Sequence, residues 1–417
     1  MVSLDQLAAS VPKPVLEVCQ VLRDAGHRGF AVGGAVRDVL LGRHPGDWDV
    51  TTDALPEVVN KLFAKTIPTG IEHGTITALV GRGRNRMAIE ITTFRGEGTY
   101  SDARRPDSVV FGVSLEKDLA RRDFVINALA FDPIDRVLID PFDGIGDLKD
   151  QLIRAVGVPL ERFTEDGLRV MRAVRLVSTL NFGLEHQTQD ALGGALDSLA
   201  KVAKERVRVE LLKLLAGPGR QQALEIAWQH GVLQVALPLT GEIDWTRALK
   251  RVVGVDADEP IVRLAALLLD APLPAVERGL RELTLSNPER THILALHRGA
   301  TINETHGDPA LRFILGQVGR DRCPNLIKIW QASGHEDRAE RADRMICAGD
   351  ALVTSELAVG GGDVIAELDL KPSPLVGRVM AHLLAEVHRD PATNNREILL
   401  RLARTFVANT PEYELNS

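Results

Sequence analysis

Cysteine is scarce in this chain. Its three residues, Cys19, Cys323 and Cys347, are scattered through 417 positions without the short spacings of a thiolate metal site or a redox pair. A disulfide scaffold is thereby excluded, and the usage fits a reducing compartment. Long apolar runs are also missing: no stretch approaches the ~20 residues needed to cross a bilayer. The opening MVSLDQLAASVPKP has neither a basic start nor an apolar core. The expectation is a cytoplasmic protein with no membrane association. A positive balance is lacking as well, because 50 Lys and Arg face 57 Asp and Glu, giving a net charge of −7. Bulk electrostatics therefore does not mark a nucleic-acid binder, and no DNA partner is expected. Internal repeats and low-complexity segments are absent too.

With 45% hydrophobic residues the chain has material for two to four domains. Arginines cluster at Arg82, Arg84 and Arg86, at Arg104 and Arg105, at Arg121 and Arg122, and along Arg169, Arg172 and Arg175. Each cluster alone reads as solvated surface charge, and only association with chemistry gives it more meaning. Short β-rich runs fill residues 28–140: GFAV, DWDVTT, GTITALV, MAIEITTF, SVVFGV, FVINALAF and RVLIDP. GRGRNR offers a hairpin connection between GTITALV and MAIEITTF. After about residue 150 the strand signal stops. Amphipathic helical patterns such as VMRAVRLVSTL, VRVELLKLLAG, IVRLAALLLD and VGRVMAHLLAEV take over. The fold class is α+β, with breaks near GPGR (217–220), PLTGE (238–242) and the glycines at 360–362.

The stretch RHPGDWDVTT places Asp47 and Asp49 one residue apart before a β-branched run. In a strand these side chains share one face while Trp48 and Val50 take the other. Two carboxylates so close repel unless a cation neutralises them. Oxygen ligands of this kind suit Mg²⁺, which keeps waters and takes one or two carboxylates together with substrate phosphates. Upstream, FAVGGAVRDVLLG reads as strand, glycine turn and short helix, with Val36, Val39 and Leu40 inward. Gly33 and Gly34 let backbone N–H groups approach a phosphate that Arg37 can also reach. A lone D-x-D or glycine pair usually marks only a turn. Their conjunction, with Glu90 following on the strand AIEITTF, resembles the nucleotidyltransferases of the polymerase-β type.

EDGLRVMRAVRLV reads as a helix with an apolar stripe at Val170, Val174 and Val177. Asp166 and Arg169 fall at i and i+3 on another face. As a surface ion pair they would contribute ~0.3–0.5 kcal/mol. Alternatively they read a base. Cytosine and adenine present an amino donor beside a ring-nitrogen acceptor, whereas uracil and guanine present the reverse. One carboxylate and one guanidinium therefore fit C and A but not U or G.

Further stretches carry a closer resemblance. GGAVRDVLLGRHPGDWDVTT, LARRDFVINALAFDP, EDGLRVMRAVRLVSTLNF and ERVRVELLKLL, with VGGGDVIAELDLKPSPLVGRVMAHLLAEV and NNREILLRLA near the C-terminus, resemble the class II tRNA nucleotidyltransferases. That family contains the CCA-adding enzymes and the bacterial poly(A) polymerases. The likeness spans nearly the whole chain, densest over 30–215 and 358–404. It implies a polymerase-β-like head with a mixed β-sheet, catalytic, over residues 1–150. An all-α neck that recognises the base follows over 151–220, then a helical body over 221–355 and a tRNA-binding tail over 356–417. It implies two Mg²⁺ ions on Asp47 and Asp49, with Glu90 supporting the attacking hydroxyl. Arg122, Asp123 and Asn127 would meet the sugar and triphosphate with Arg37, and Asp166 and Arg169 would act as an amino-acid template. Arg172, Arg175, Arg206 and Arg208 are candidates for a local basic track.

The sequence departs from the family at Val125, where threonine is common, and at Leu176 and Val177, where an aromatic is usual; both look like packing adjustments. IVRLAALLLDAP resembles the segment that carries the His-Asp pair of an HD phosphohydrolase, but Leu269 precedes Asp270, so the body reads as a degenerate remnant. The expected reaction is addition of CMP, CMP and AMP to the 3′ end of tRNA from CTP and ATP, with release of pyrophosphate. CC-only members of that family typically lack the segment FRGEGTYSDARRPDSVVFGVSLEKD, so the resemblance implies that addition of A is possible here, with the part around Gly96 to Arg105 expected to help the site switch to the larger base. A-only addition or poly(A) synthesis is the close alternative. A catalytically dead RNA-binding relative is disfavoured by the complete carboxylate set, and a phosphohydrolase by Leu269. The oligomeric state is not legible.

Overall fold

The computed structural model describes residues 2–409 except 71–73, 82, 84–85, 98–108, 238, 240–242, 258 and 303–306. Arg82, Arg84, Arg104, Arg105, half of the GRGRNR connection and most of the segments Gly96–Arg105 and 238–242 lie outside the described residues. The chain divides into two compact units, Met1–Leu237 and Pro238–Ser417.

The first unit begins with helices α1 (Leu4–Ser10) and α2 (Lys13–Asp24), followed by β1 (Gly29–Val32), α3 (Gly34–Leu40), β2 (Asp49–Thr52) and α4 (Pro56–Leu62). Strands β3 (Thr66–Gly70), β4 (Thr75–Val80), β5 (Met87–Thr93), β6 (Arg95–Glu97) and β7 (Val109–Phe111) come next, then α5 (Leu115–Ala120), β8 (Ala130–Asp132), β9 (Val137–Ile139) and α6 (Gly144–Lys149). Seven strands form one sheet in the order β3-β4-β5-β2-β1-β8-β9. The sheet is mixed: β2 and β5 run parallel, and the other neighbours antiparallel.

Register explains which sheet face does what. Ala31, Val50, Ile91 and Ile76 are cross-strand neighbours, and all are 0–1% exposed. This apolar row faces the layer made by α2 and α4. The adjacent row, on the opposite face, is Val32, Asp49, Glu90 and Thr77. Beside it, Phe30, Phe94, Leu115 and Leu119 close a second core. The sheet therefore presents its carboxylates on a face whose rim is apolar and packed.

Two strand expectations need correcting. FVINALAF is not one strand, because residues 125–127 form a 3-10 turn and only Ala130–Asp132 joins the sheet. Asp123 takes the N–H of Phe124 and the side-chain amide of Asn127, and those local bonds compete with a ladder. The strand signal also does not end at residue 150. Leu152–Ile153 (β10) and Gly183–Leu184 (β11) pair in parallel, pieces too short to show a period.

The rest of the first unit is helical: α7 (Pro159–Glu165), α8 (Leu168–Leu180), α9 (His186–Gly194), α10 (Leu196–Ala200), α11 (Lys204–Ala216), α12 (Arg220–Gln229) and α13 (Val232–Ala236). Val170, Val174 and Val177 are fully buried, and Leu176 at the family's aromatic position is fully buried too. EDGLRVMRAVRLV is not a single helix, however. Asp166 is extended, with φ −136° and ψ 102°, and breaks it into α7 and α8. Gly167 at the break lies against the 198–199 backbone, where an added Cβ would come within 2.3 Å of the Ser198 carbonyl.

The second unit is all helical among the described residues, from Trp245–Gly254 to Arg396–Ala408. One of its cores gathers Val364, Val379, Leu383, Val387 and Leu399. No described helix is long and apolar enough to cross a membrane.

Candidate active site

The glycine turn, the D-x-D and the RRDF segment meet in the first unit around two adjoining cavities. The first, of about 420 Å³, is lined by Gly33, Gly34, Arg37, Asp47, Asp49, Asn127, Arg175 and Lys213, among others. The second, of about 390 Å³, is lined by Asp49, Glu90, Thr75, Thr92, Asp166, Arg169 and Arg206, among others. Asp49, Arg122, Asp123 and Arg172 belong to both. Every candidate residue read from the sequence except Arg208 of the basic track therefore lines one cavity or the other.

The D-x-D keeps its expected sidedness, although β2 starts at Asp49 and Asp47 lies in the loop before it. Trp48 and Val50 are buried, while Asp47 and Asp49 reach solvent. Asp49 is the direct register partner of Glu90. Protein crowding around the Asp49 carboxylate strips part of its water, and the charges of Glu90 and Asp47 add to that. Together they push its pKa above the ordinary value against the opposing Arg122. Such accumulated negative charge is what a divalent cation relieves, so the donor set fits Mg²⁺. No group of three or more His, Cys, Asp or Glu poised for a metal occurs among the described residues.

Gly33 sits at φ +74° and ψ −139°, a conformation closed to other residues, and a Cβ there would come within 3.0 Å of Arg122 Nη1. The turn therefore keeps the chain against the guanidinium of Arg122. That guanidinium is positioned from below by Asp118, which is fully buried and also accepts from Thr51 Oγ1, the Arg95 N–H and Arg121. Burial lowers the Arg122 pKa while Asp118 opposes the loss. Arg37 donates to Asn127 Oδ1 at 2.6 Å and to Asp38 at 2.8 Å, and Asn127 donates in turn to Asp123 at 3.1 Å.

Asp123 is the hub between sheet and helix. Burial opposes its charge, but Arg172, at 2.7 Å through Nε, and Asn127 outweigh that and hold its carboxyl well below the usual range. Arg175 pairs with Glu210 of α11 at 2.5 Å. Of the proposed basic track, Arg172, Arg175 and Arg206 are thus each tied to a carboxylate. They form fixed walls of the cavities rather than an open cationic surface.

The expected template pair, Asp166 and Arg169, is also rearranged. Asp166 and Arg169 both line the second cavity, but Asp166 lies in the linker between α7 and α8. Its Oδ1 takes the Leu168 N–H at 3.0 Å, and Oδ2 faces Arg206 at 3.4 Å. Arg169 is clamped by Glu165 at 2.8 Å and by the carbonyls of Arg162 and Arg121 at 3.1 and 3.0 Å. The two groups are thus separately anchored and face one space. Sequence reasoning missed Lys213, Thr75 and Thr92, and gave Arg121 of the RRDF segment no role. Nothing in the spacing of Lys213, Thr75 and Thr92 gives them a role; only the strand register and the α8–α11 packing bring them in.

In the second unit, Asp270 pairs with Arg251 at 2.9 Å and Arg247 at 3.5 Å. A guanidinium supplies the positive charge that a phosphohydrolase would take from a metal.

Residues 29–154 match the model of the poly A polymerase head domain, and residues 181–243 that of the probable RNA and SrmB-binding site of polymerase A. The chain is 37% identical over 388 residues to the CCA-adding enzyme of Lactobacillus delbrueckii subsp. bulgaricus, covering 92% of this chain and 94% of that protein. To the Enterococcus faecalis CCA-adding enzyme it is 34% identical over 403 residues, covering 95% and 97%. The crystal structure of the Bacillus stearothermophilus CCA-adding enzyme in complex with CTP superimposes with a TM-score of 0.76 at 32% identity, covering 95% of this chain and 99% of that one.

Proposed function

The chain belongs to the CCA-adding enzyme family of nucleotidyltransferases, and on that premise we propose that it extends the 3′ end of tRNA by CMP, CMP and AMP, taken from CTP and ATP with release of pyrophosphate. The observation that carries this reading is the sharing of Asp49, Arg122, Asp123 and Arg172 between two cavities. One cavity has phosphate-binding groups and the other has Glu90 opposite Asp166 and Arg169, so one bound nucleotide spans both.

In this reading Asp47 and Asp49 hold two Mg²⁺ ions, which would lower the pKa of the RNA 3′ hydroxyl and neutralise the triphosphate and departing pyrophosphate. Arg37, Arg122, Asn127 and Arg175 then hold the triphosphate and sugar, with Gly33 and Gly34 permitting close backbone approach. Glu90 orients the attacking hydroxyl beside Asp49. Asp166 accepts from the exocyclic amino group of C or A, and Arg169 donates to the ring nitrogen. The anchoring of Arg169 by Glu165 and two carbonyls supports this, because a fixed fork discriminates better than a free one. Asp123 joins head to neck by holding Arg172. Residues 151–220 serve as the base-reading neck, 221–355 as a body without phosphohydrolase chemistry, and 356–417 as a tRNA-binding tail in a cytoplasmic enzyme.

The test is direct. Purified protein is incubated with tRNA transcripts ending before the first C, ending after CC, and with an unrelated RNA, with each NTP singly and together, and the 3′ ends are sequenced. CCA on the first and A on the second are expected. Addition of A alone, or of long A tracts to any RNA, would replace CCA addition with A-only or poly(A) synthesis.

A further inference from the structure

The loop bearing Asp47 runs from the end of α3 to the start of β2. At the end of α3, Gly42 at φ +72° donates its N–H to the Val39 carbonyl, and the Arg43 N–H reaches back to the Asp38 carbonyl, both at 2.8 Å. These are the two bonds of a Schellman ending, which turns the chain and sends the next side chain away from the helix. The Arg43 guanidinium then spans to α8. Its Nη1 donates to the Thr179 carbonyl and its Nη2 to the Leu180 carbonyl, each at 3.2 Å.

Those carbonyls complete an account of the end of α8. A helix leaves its last four C=O groups without helical donors. Here Val177 receives the Asn181 N–H, Ser178 receives the Gly219 N–H at 2.8 Å, and Thr179 and Leu180 receive Arg43. A cation at this end is also favoured by the helix dipole. The same helix carries Arg169 in its first turn and Arg172 bonded to Asp123. It is therefore tied to the RRDF segment through Arg172 and to the Asp47 loop through Arg43.

We propose that Arg43 is a positioning residue, fixing the Asp47–Asp49 loop to the helix that carries Arg169, so that metal-binding and base-reading groups are referenced to one rigid element. The inference rests on the nucleotidyl-transfer reading of that loop. Arg43 itself lines neither cavity and is largely exposed. Its loss leaves the cores intact and lets water take the two carbonyls, while the loop loses its outer tether.

The test compares full-length wild type with Arg43→Ala, Arg43→Gln and Arg43→Lys in single-turnover CMP addition to tRNA lacking CCA, titrating Mg²⁺ and CTP, with melting curves for each. For Arg43→Ala the expected result is about a tenfold fall in maximal rate and about a threefold rise in the Mg²⁺ half-saturation, with the KM for CTP within about twofold of wild type. Arg43→Lys, which keeps one charged donor, should recover part of both, and Arg43→Gln less. A maximal rate and Mg²⁺ half-saturation within about twofold of wild type in Arg43→Ala would overturn the proposal. So would a rate loss fully accounted for by the unfolded fraction at the assay temperature. A wild-type chain that adds no CMP would overturn the reading of the site, and this inference with it.

Discussion

Asp49 and Glu90 face each other as register partners on the one parallel pair of the sheet, and the charge of Glu90 contributes to the raised pKa of Asp49. Two carboxylates placed side by side by backbone pairing concentrate negative charge at one place, the charge that the proposed Mg²⁺ would neutralise. Asp47→Ala and Asp49→Ala should each abolish addition of both C and A while tRNA binding persists. Single-turnover rates and a filter-binding assay check this, and retention of more than a few per cent of activity in either variant removes the metal assignment.

The two anchored groups of the second cavity give a separate expectation. Asp166→Ala removes the acceptor for the amino group and Arg169→Ala the donor to the ring nitrogen. Leaving one polar partner unmatched costs about 1–3 kcal/mol, which corresponds to roughly ten- to hundredfold changes in use of CTP against UTP. The measurement is kcat/KM for all four NTPs on tRNA lacking CCA. Equal UTP to CTP ratios in both variants and in wild type would make this helix end structural.

Asp123 predicts a pH dependence whose sign follows from its lowered pKa. A carboxyl held below its unfolded value of about 3.9 stabilises the fold above that pH, and the contribution disappears as pH falls toward the folded pKa. Asp123→Asn should therefore lower the melting temperature at neutral pH, by a loss of about 1–3 kcal/mol. The gap to wild type should narrow progressively below about pH 4. Melting curves from neutral pH downward test it, and a gap that stays constant would mean Arg172 does not stabilise the ionised form.

Gly167 gives a prediction from space alone. A Cβ there would meet backbone of residues 198 and 199 at 2.3–2.5 Å, and backbone cannot swing aside as a flexible side chain does. Gly167→Ala should cost about 1–3 kcal/mol through overpacking. Because it lies between Asp166 and Arg169, it should also relax base choice. Unchanged melting temperature and unchanged UTP discrimination would show that α8 moves freely against α10.

The motifs of the site were legible because each is local: the strand alternation of Asp47 and Asp49, the Gly33–Gly34 turn before a short helix, and the valine stripe of α8 all follow from periods of two or 3.6 residues. What stayed hidden depends on groups far apart in the chain. The break at Asp166 is set by Gly167 packing on residues 198 and 199, and the entry of Lys213 and Glu210 by the packing of α11 against α8. The arginine clusters looked alike in sequence, yet Arg172, Arg175 and Arg206 proved to be individually paired. Composition cannot distinguish a paired guanidinium from a solvated one.

The tie between Asp123 and Arg172 also bears on the order in which the chain acquires its abilities as it is made. The parallel pairing of β2 with β5 must wait for the intervening crossover, and such non-local closures are slow steps. Even then the cavity beside Gly33 and Asp47 lacks a wall until α8 arrives with Arg172 and Arg175, and α11 with Lys213. Arg169 precedes Arg172, Arg175 and Lys213 in the chain, so it is made before that wall is complete. On the proposed reading, a growing chain therefore does not hold a nucleotide in this site before it holds the residue proposed to select its base.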